Sequence, residues 1–186
     1  GLNKTRFLHS ACLALGYAGD GTIQFKLKEL DDKRIVIVPS TRLLTIEENW
    51  SRIITLPCNE YMTIVMADDY IRSDYLSILA QTIQRHPGHP IYRTNITAVD
   101  SESMAIYQSQ IKSKISKYDY LRGRLTHTYF ETAAGYCFKW SRYLEIGGID
   151  CRFRLMSTDD KLIMEAIGSN TMIVAPEHAA FYRCHS

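Results

Sequence analysis

Long apolar runs are what this sequence most plainly lacks. No stretch approaches the ~18 residues that a membrane-spanning helix requires, and no signal-peptide pattern opens the chain. Cysteine is scarce and scattered: Cys12, Cys58, Cys137, Cys151 and Cys184 form no CxxC pair. That spacing suggests neither a zinc site nor a disulfide framework, and reduced thiols in a cytoplasmic protein are the expectation. An excess of one charge is also missing, with 22 Lys and Arg against 20 Asp and Glu, so the totals show no nucleic-acid footprint. Internal repeats and low-complexity linkers are absent. A chain of 186 residues is long enough to bury one ordinary core, and a single domain over 1–186 is expected.

What is present centres on Glu60 to Leu76, EYMTIVMADDYIRSDYL. Tyr61 to Met66 is a short apolar run with β-branched residues, the composition of a strand buried on both faces. It stops at Asp68 and Asp69. A helical pattern follows, with Leu76, Leu79, Ala80 and Ile83 on one face, Ser73 as N-cap and Pro87 beyond its end. In an open α/β sheet the crevice outside the carboxyl ends of the strands is where ligands bind. Two aspartates there suit a hard divalent cation bridging to phosphate oxygens; they also suit a plain turn, because Asp is favoured where a strand ends.

Helix and strand patterns alternate along the rest. Phe7, Leu8, Ala11, Cys12 and Leu15 form a helical stripe ending at Gly16. Gly19-Asp20-Gly21-Thr22 turns into a helix through Leu30, and Arg34 to Val38 reads as a buried strand. Thr45 and Glu48 match a capping box for a helix carrying Ile46, Trp50, Ile53 and Ile54. Further strands are expected at Pro90 to Asn95, Gly135 to Lys139, Thr171 to Ala175 and Ala179 to Tyr182. Helices are expected from Ser141 to Ile146, closed by Gly147-Gly148, and from Thr158 to Gly168. Ser101 to Tyr120 is open between helix and loop; its lysines at 112, 114 and 117 read as a solvated face. The alternation predicts βαβ units and an α/β fold with a mostly parallel sheet.

Three segments, in order, resemble the inverting family 2 glycosyltransferases of the GT-A fold. ENWSRIITLPCNEYMTIVMADDYIRSDYL is similar to that family's helix, apolar strand and acidic cluster. AGYCFKWSRYLEIGGIDCRF is similar to its strand, helix and "GGfd" loop. STDDKLIMEAIG with FYRCHS is similar to its ED-type helix and closing "YRxH" segment. GDGTIQFKLKELDDKRIVIV resembles the "DgT" stretch nearer the amino end. Two departures stand out. Met66-Ala67-Asp68-Asp69 keeps only the later pair of the D-x-D-D cluster. The family's first strand has no counterpart, and there is too little chain between Gly16 and Asp20 for the second, so the amino-terminal strands are expected to be missing or reduced.

The resemblance implies a Rossmann-like GT-A sheet flanked by helices and a hexosyltransferase-type enzyme. It would move a sugar from a nucleotide-diphosphate sugar, a UDP-sugar before others, to a glycan or lipid-linked acceptor in polysaccharide biosynthesis, in the cytoplasm or at the inner face of the membrane. Negative charge growing on the departing diphosphate calls for a divalent cation, Mn2+ or Mg2+. Asp68, Asp69 and His185 are the implied metal ligands, and Asp20, Asn49, Asp68 and Arg183 the implied donor contacts. The acceptor hydroxyl needs a carboxylate base. Asp159 and Asp160 both qualify by resemblance, and as first-turn acids both also simply offset a helix dipole. Trp50 and Trp140 read as core. Met66 and the reduced amino end favour the alternative, a catalytically inactive GT-A-like binding module.

Overall fold

The computed structural model describes residues 11–14, 32–33, 35–56, 58–129, 132, 134–150, 152 and 157–184. A short parallel pair joins β1 (Ala11–Ala14) to β2 (Ile35–Val38). A seven-stranded sheet runs in the order β3 (Tyr61–Thr63), β8 (Tyr136–Lys139), β5 (Ile91–Val99), β9 (Thr171–Arg183), β4 (Tyr70–Ile71). Two further strands, β6 (Ala105–Gln108) and β7 (Lys114–Ser116), pair with β5 and β9. Every residue of β5 is buried, as expected of a strand lying between neighbours and covered on both faces.

Helices cover both faces. On one, α2 (Tyr75–Arg85) lays Tyr75 and Leu79 against Tyr92, Ile96 and Ala180 of the central strands. On the other, α3 (Lys117–Leu125), α4 (Trp140–Glu145) and α5 (Thr158–Ile167) deliver Tyr120, Tyr143, Leu162, Ile163 and Ile167 onto Ile91, Phe138 and Val174. Trp50, Ile53 and Ile54, from α1 (Ile46–Ser51) and the 3-10 turn that follows it (Arg52–Thr55), pack against this second core, as does Trp140. Both tryptophans are thus packing residues.

Several expectations change. The α/β class and the flanking helices are found, but the seven-stranded sheet is mixed: β5–β9 is its parallel ladder and its other pairings are antiparallel, while the separate β1–β2 pair is parallel. Alternating helix and strand patterns do not fix strand direction when a strand inserts between two earlier ones, as β8 does between β3 and β5. The segment expected as a helix around Ala11 and Cys12 contains strand β1, paired residue for residue with Ile35–Val38. Short apolar runs fit both periods, and a partner decides between them. One strand expected to be absent before Gly19 to Thr22 is therefore present earlier in the chain. The helix expected through Leu30 lies outside the described residues.

β2 is half-exposed, with Val36 open to solvent. The run from Tyr61 to Met66 pairs only as far as Thr63, is half-buried, and ends the sheet path instead of occupying its centre. α2 begins at Tyr75 with Asp74 in the N-cap position, and Leu76 faces outward. Asp74 makes no cap bond because Arg72 takes its carboxylate at 2.5 and 2.8 Å. Thr158 is the first, buried residue of α5, and Ser157 precedes it in the left-handed region at φ 55°. The two closing strands are one. Their interruption at Pro176 is a bulge: Thr94 pairs Ala175 while Asn95 pairs His178, and proline, lacking an N–H, belongs at such a position.

Candidate functional site

The parallel pairing of β5 with β9 brings Val99 opposite Arg183, so both strands end at one edge. α5 packs on the same sheet and joins β9 through a short turn at Gly168 (φ 56°). It therefore runs back against β9 and brings its first turn beside β8, where Asp159 lies with Tyr136 and Phe138, the partners of Arg93 and Ile91 in β5. The loop from β3 to β4 carries Asp68 and Asp69 to Arg183 at the end of β9.

There the backbone N–H of Arg183 donates to Oδ1 of buried Asp69 at 3.1 Å. The Arg183 guanidinium is directed at protein oxygens. Nε donates to the Asp68 carbonyl at 3.3 Å, Nη1 to the Asp100 and Ser101 carbonyls at 2.9 and 3.1 Å, and Nη2 to Ser103 Oγ at 3.2 Å. It also lies over the Tyr70 ring at 5.9 Å, and Tyr70 stacks on Phe181 at 4.5 Å. The fork of donors and the flat cation suit this arrangement, which ties two loops to the end of β9. The Asp68 side chain stays exposed at the rim.

The neighbouring pair at α5 is divided in a similar way. Asp160 accepts from Tyr120 Oη at 2.7 Å and from Arg124 Nε and Nη2 at 2.7 and 3.2 Å. Arg124 also donates to the Tyr129 carbonyl at 3.2 Å. Asp159, one residue earlier, turns to a small crevice lined with Ile64, Met66, Tyr136, Phe138 and Leu162. Tyr136 is held from behind by fully buried Arg93, whose Nη1 donates to its hydroxyl at 2.9 Å and whose guanidinium covers its ring at 4.8 Å. Three of the four carboxylates act electrostatically on one phenol. Burial first, then Cys184 and the carboxylates of Asp69, Asp68 and Asp159, push Tyr182 above its usual pKa.

No family model and no curated protein matches the sequence. Among solved structures, S. aureus TarS residues 1–349 superposes with a TM-score of 0.72 at 12% identity, over 94% of this chain and 51% of that one. The same fragment in complex with UDP gives the same values. A longer TarS chain gives 0.70, with 31% of its length covered. The fold is a Rossmann-like glycosyltransferase fold. The chain spans about half the length of the TarS fragment it matches.

The remaining expected site residues are dispersed. Asn49 sits on α1 and accepts from Arg52 Nη1 at 3.2 Å, while Arg52 Nη2 reaches the carbonyls of Val38 and Pro39 at 2.8 and 3.0 Å. Asn49 is thereby placed near the carboxyl end of β2, away from the contacts described for the two aspartate pairs. Asp20 and His185 lie outside the described residues. Among the described residues no three His, Cys, Asp or Glu side chains gather into a metal site. Gly147 and Gly148, at φ 79° and 71°, close α4 by donating to the carbonyls of Leu144 and Tyr143, each at 3.0 Å. Beside them an open groove runs past Ser51, Asp150, Lys161 and Glu165. Sequence reasoning missed Tyr182, Tyr136, Tyr120 and Arg124. Tyr182 lies inside the recognised FYRCHS segment and was within reach; the other three declare themselves only through contacts distant in sequence.

Proposed function

We propose that the protein transfers a sugar from a nucleotide-diphosphate sugar to a hydroxyl acceptor, with Asp159 as the base. What supports this reading is the common field on Tyr182, to which Asp69, Asp68 and Asp159 all contribute, with Asp69 also bonded to the Arg183 N–H. A base must reach the attacking hydroxyl while the departing diphosphate is stabilised elsewhere in the same cleft. Asp159 faces the crevice, whereas Asp160 is committed to Tyr120 and Arg124. One base and one displacement give inversion at the anomeric carbon. The UDP bound by S. aureus TarS supports a uridine nucleotide as the donor's carrier.

A divalent cation fits in part. Mg2+ and comparable ions take one or two protein carboxylates and complete their shell with phosphate and water. Asp68, exposed at the rim, meets that minimum, and Asp69 beside it is our second candidate. His185 is our third candidate. When bound, such a cation would offset charge on the diphosphate. Arg183 is assigned to holding the loop, not to phosphate contact. The acceptor is proposed to be a glycan or a lipid-linked hydroxyl.

Calorimetry with UDP, with and without Mn2+, tests the reading: binding that Asp68→Ala weakens by about tenfold or more supports it, since tenfold is about 1.4 kcal/mol, the scale of one charge-assisted contact. No binding in either condition would refute it. The second reading, a non-catalytic binding module, is favoured by Met66, which lines the crevice beside Asp159 where a carboxylate stands in the resembled family. Turnover that is lost in Asp159→Asn with the fold intact removes that reading.

A further inference from the structure

The outer face of α3 differs from the rest of the surface. Tyr118, Leu121 and Leu125 are 71, 42 and 72% exposed, and their spacing puts them on one stripe. The opposite side of the helix holds buried Tyr120 and Gly123, with Tyr120 and Arg124 engaging Asp160. α3 is therefore fixed to the body by one face and presents apolar side chains on the other.

Cations surround this stripe. Residues 112–125 contain Lys112, Lys114, Lys117, Arg122 and Arg124 against Asp119 alone, in a chain whose total is only +2. Lys112, Lys114, Lys117 and Arg122 are exposed. The one acid is already used: Asp119 accepts from the Ser116 backbone N–H at 3.2 Å and its hydroxyl at 2.5 Å, and lies 3.8 Å from Lys112 Nζ. Exposed apolar side chains beside exposed cations suit a lipid surface, the apolar groups at the acyl boundary and the cations at anionic headgroups. A phosphate backbone would use the cations and leave exposed leucines without purpose.

We propose that α3 with the preceding lysines is a docking surface for an anionic lipid bilayer. No helix among the described residues is long and apolar enough to cross a membrane. The proposal does not depend on sugar transfer, and its test requires no substrate.

The test is co-sedimentation of the chain with vesicles of phosphatidylcholine alone and of phosphatidylcholine mixed with phosphatidylglycerol. The wild type is expected to pellet with the mixed vesicles and to be released by raised salt. The triple variant Lys112→Glu/Lys114→Glu/Lys117→Glu and the double variant Leu121→Ser/Leu125→Ser are each expected to weaken binding by about tenfold or more, because a single basic residue near such a surface contributes about 1 kcal/mol. All five positions are exposed, and circular dichroism checks that the fold is kept. Equal pelleting with neutral vesicles, no pelleting with either, or binding unchanged in both variants overturns the proposal. Self-association that the leucine variant abolishes, without vesicle binding, overturns it in favour of a second copy of the chain.

Discussion

Two aspartate pairs, one in the loop after β3 and one at the start of α5, are each split between holding and facing. In the loop after β3, Asp69 is buried and accepts the Arg183 N–H, while Asp68 is exposed at the rim. At the start of α5, Asp160 is gripped by Tyr120 and Arg124, while Asp159 turns to the crevice. The comparison teaches that a doubled acid is not a doubled ligand. One carboxylate in each pair fixes the backbone from which the other is presented, and the two holders are built differently. Asp69 is met by a backbone amide, and Asp160 by a bidentate guanidinium and a phenol.

Substitutions break that symmetry with graded effects. Asp159→Asn is expected to have the largest, lowering kcat/KM for nucleotide-sugar turnover by about a hundredfold or more, the range of a lost general base. Asp160→Ala reverses the pattern. It strands Arg124 and Tyr120, so unfolding stability falls by about 1.5–3 kcal/mol, and Asp160→Asn recovers part of this because an amide oxygen still accepts from Tyr120. Equal effects of the two substitutions on turnover at constant stability would erase the distinction between the neighbours.

The loop pair should show the smaller contrast. Asp69→Ala leaves the Arg183 N–H without its acceptor and costs about 1–2 kcal/mol in urea unfolding, whereas Asp68→Ala, at an exposed position, costs less. Last comes a surface control with the same guanidinium–carboxylate chemistry. Glu48 accepts from Arg42 at 2.7 and 2.9 Å and from the Thr45 N–H at 3.0 Å. Arg42 first, then the Thr45 N–H, hold its carboxyl down at about 2, from the usual 4.5. A depressed folded value means its contribution is complete above pH 4.5 and disappears as pH falls to about 2. The Thr45 amide resonance should titrate near the lower value, and Glu48→Gln should barely move the urea midpoint, since exposed ion pairs contribute little.

The legible parts of this molecule were the local ones. Thr45 and Glu48 form the expected capping box because its partners are three residues apart. Gly147 and Gly148 close α4 because a left-handed helix end favours glycine. The division of Asp159 from Asp160 was not legible, since Arg124 is 36 residues from the carboxylate it holds. Nor was the place of β3, which strand order sets: β8, far later in the chain, separates it from β5. Ala11–Ala14 became a strand through its pairing with Ile35–Val38, a long-range event that no local periodicity records.

The central claim is that Asp68 and Asp159 face one cleft and that their neighbours hold it in shape. A crystal structure of the chain grown with UDP and Mn2+ tests it most directly. The diphosphate is predicted beside Asp68, with Asp159 across the crevice on the acceptor side and the Asp160–Arg124 contact unchanged. UDP bound at another surface, or Asp159 turned away from it with Asp160 released toward the nucleotide, would contradict the account.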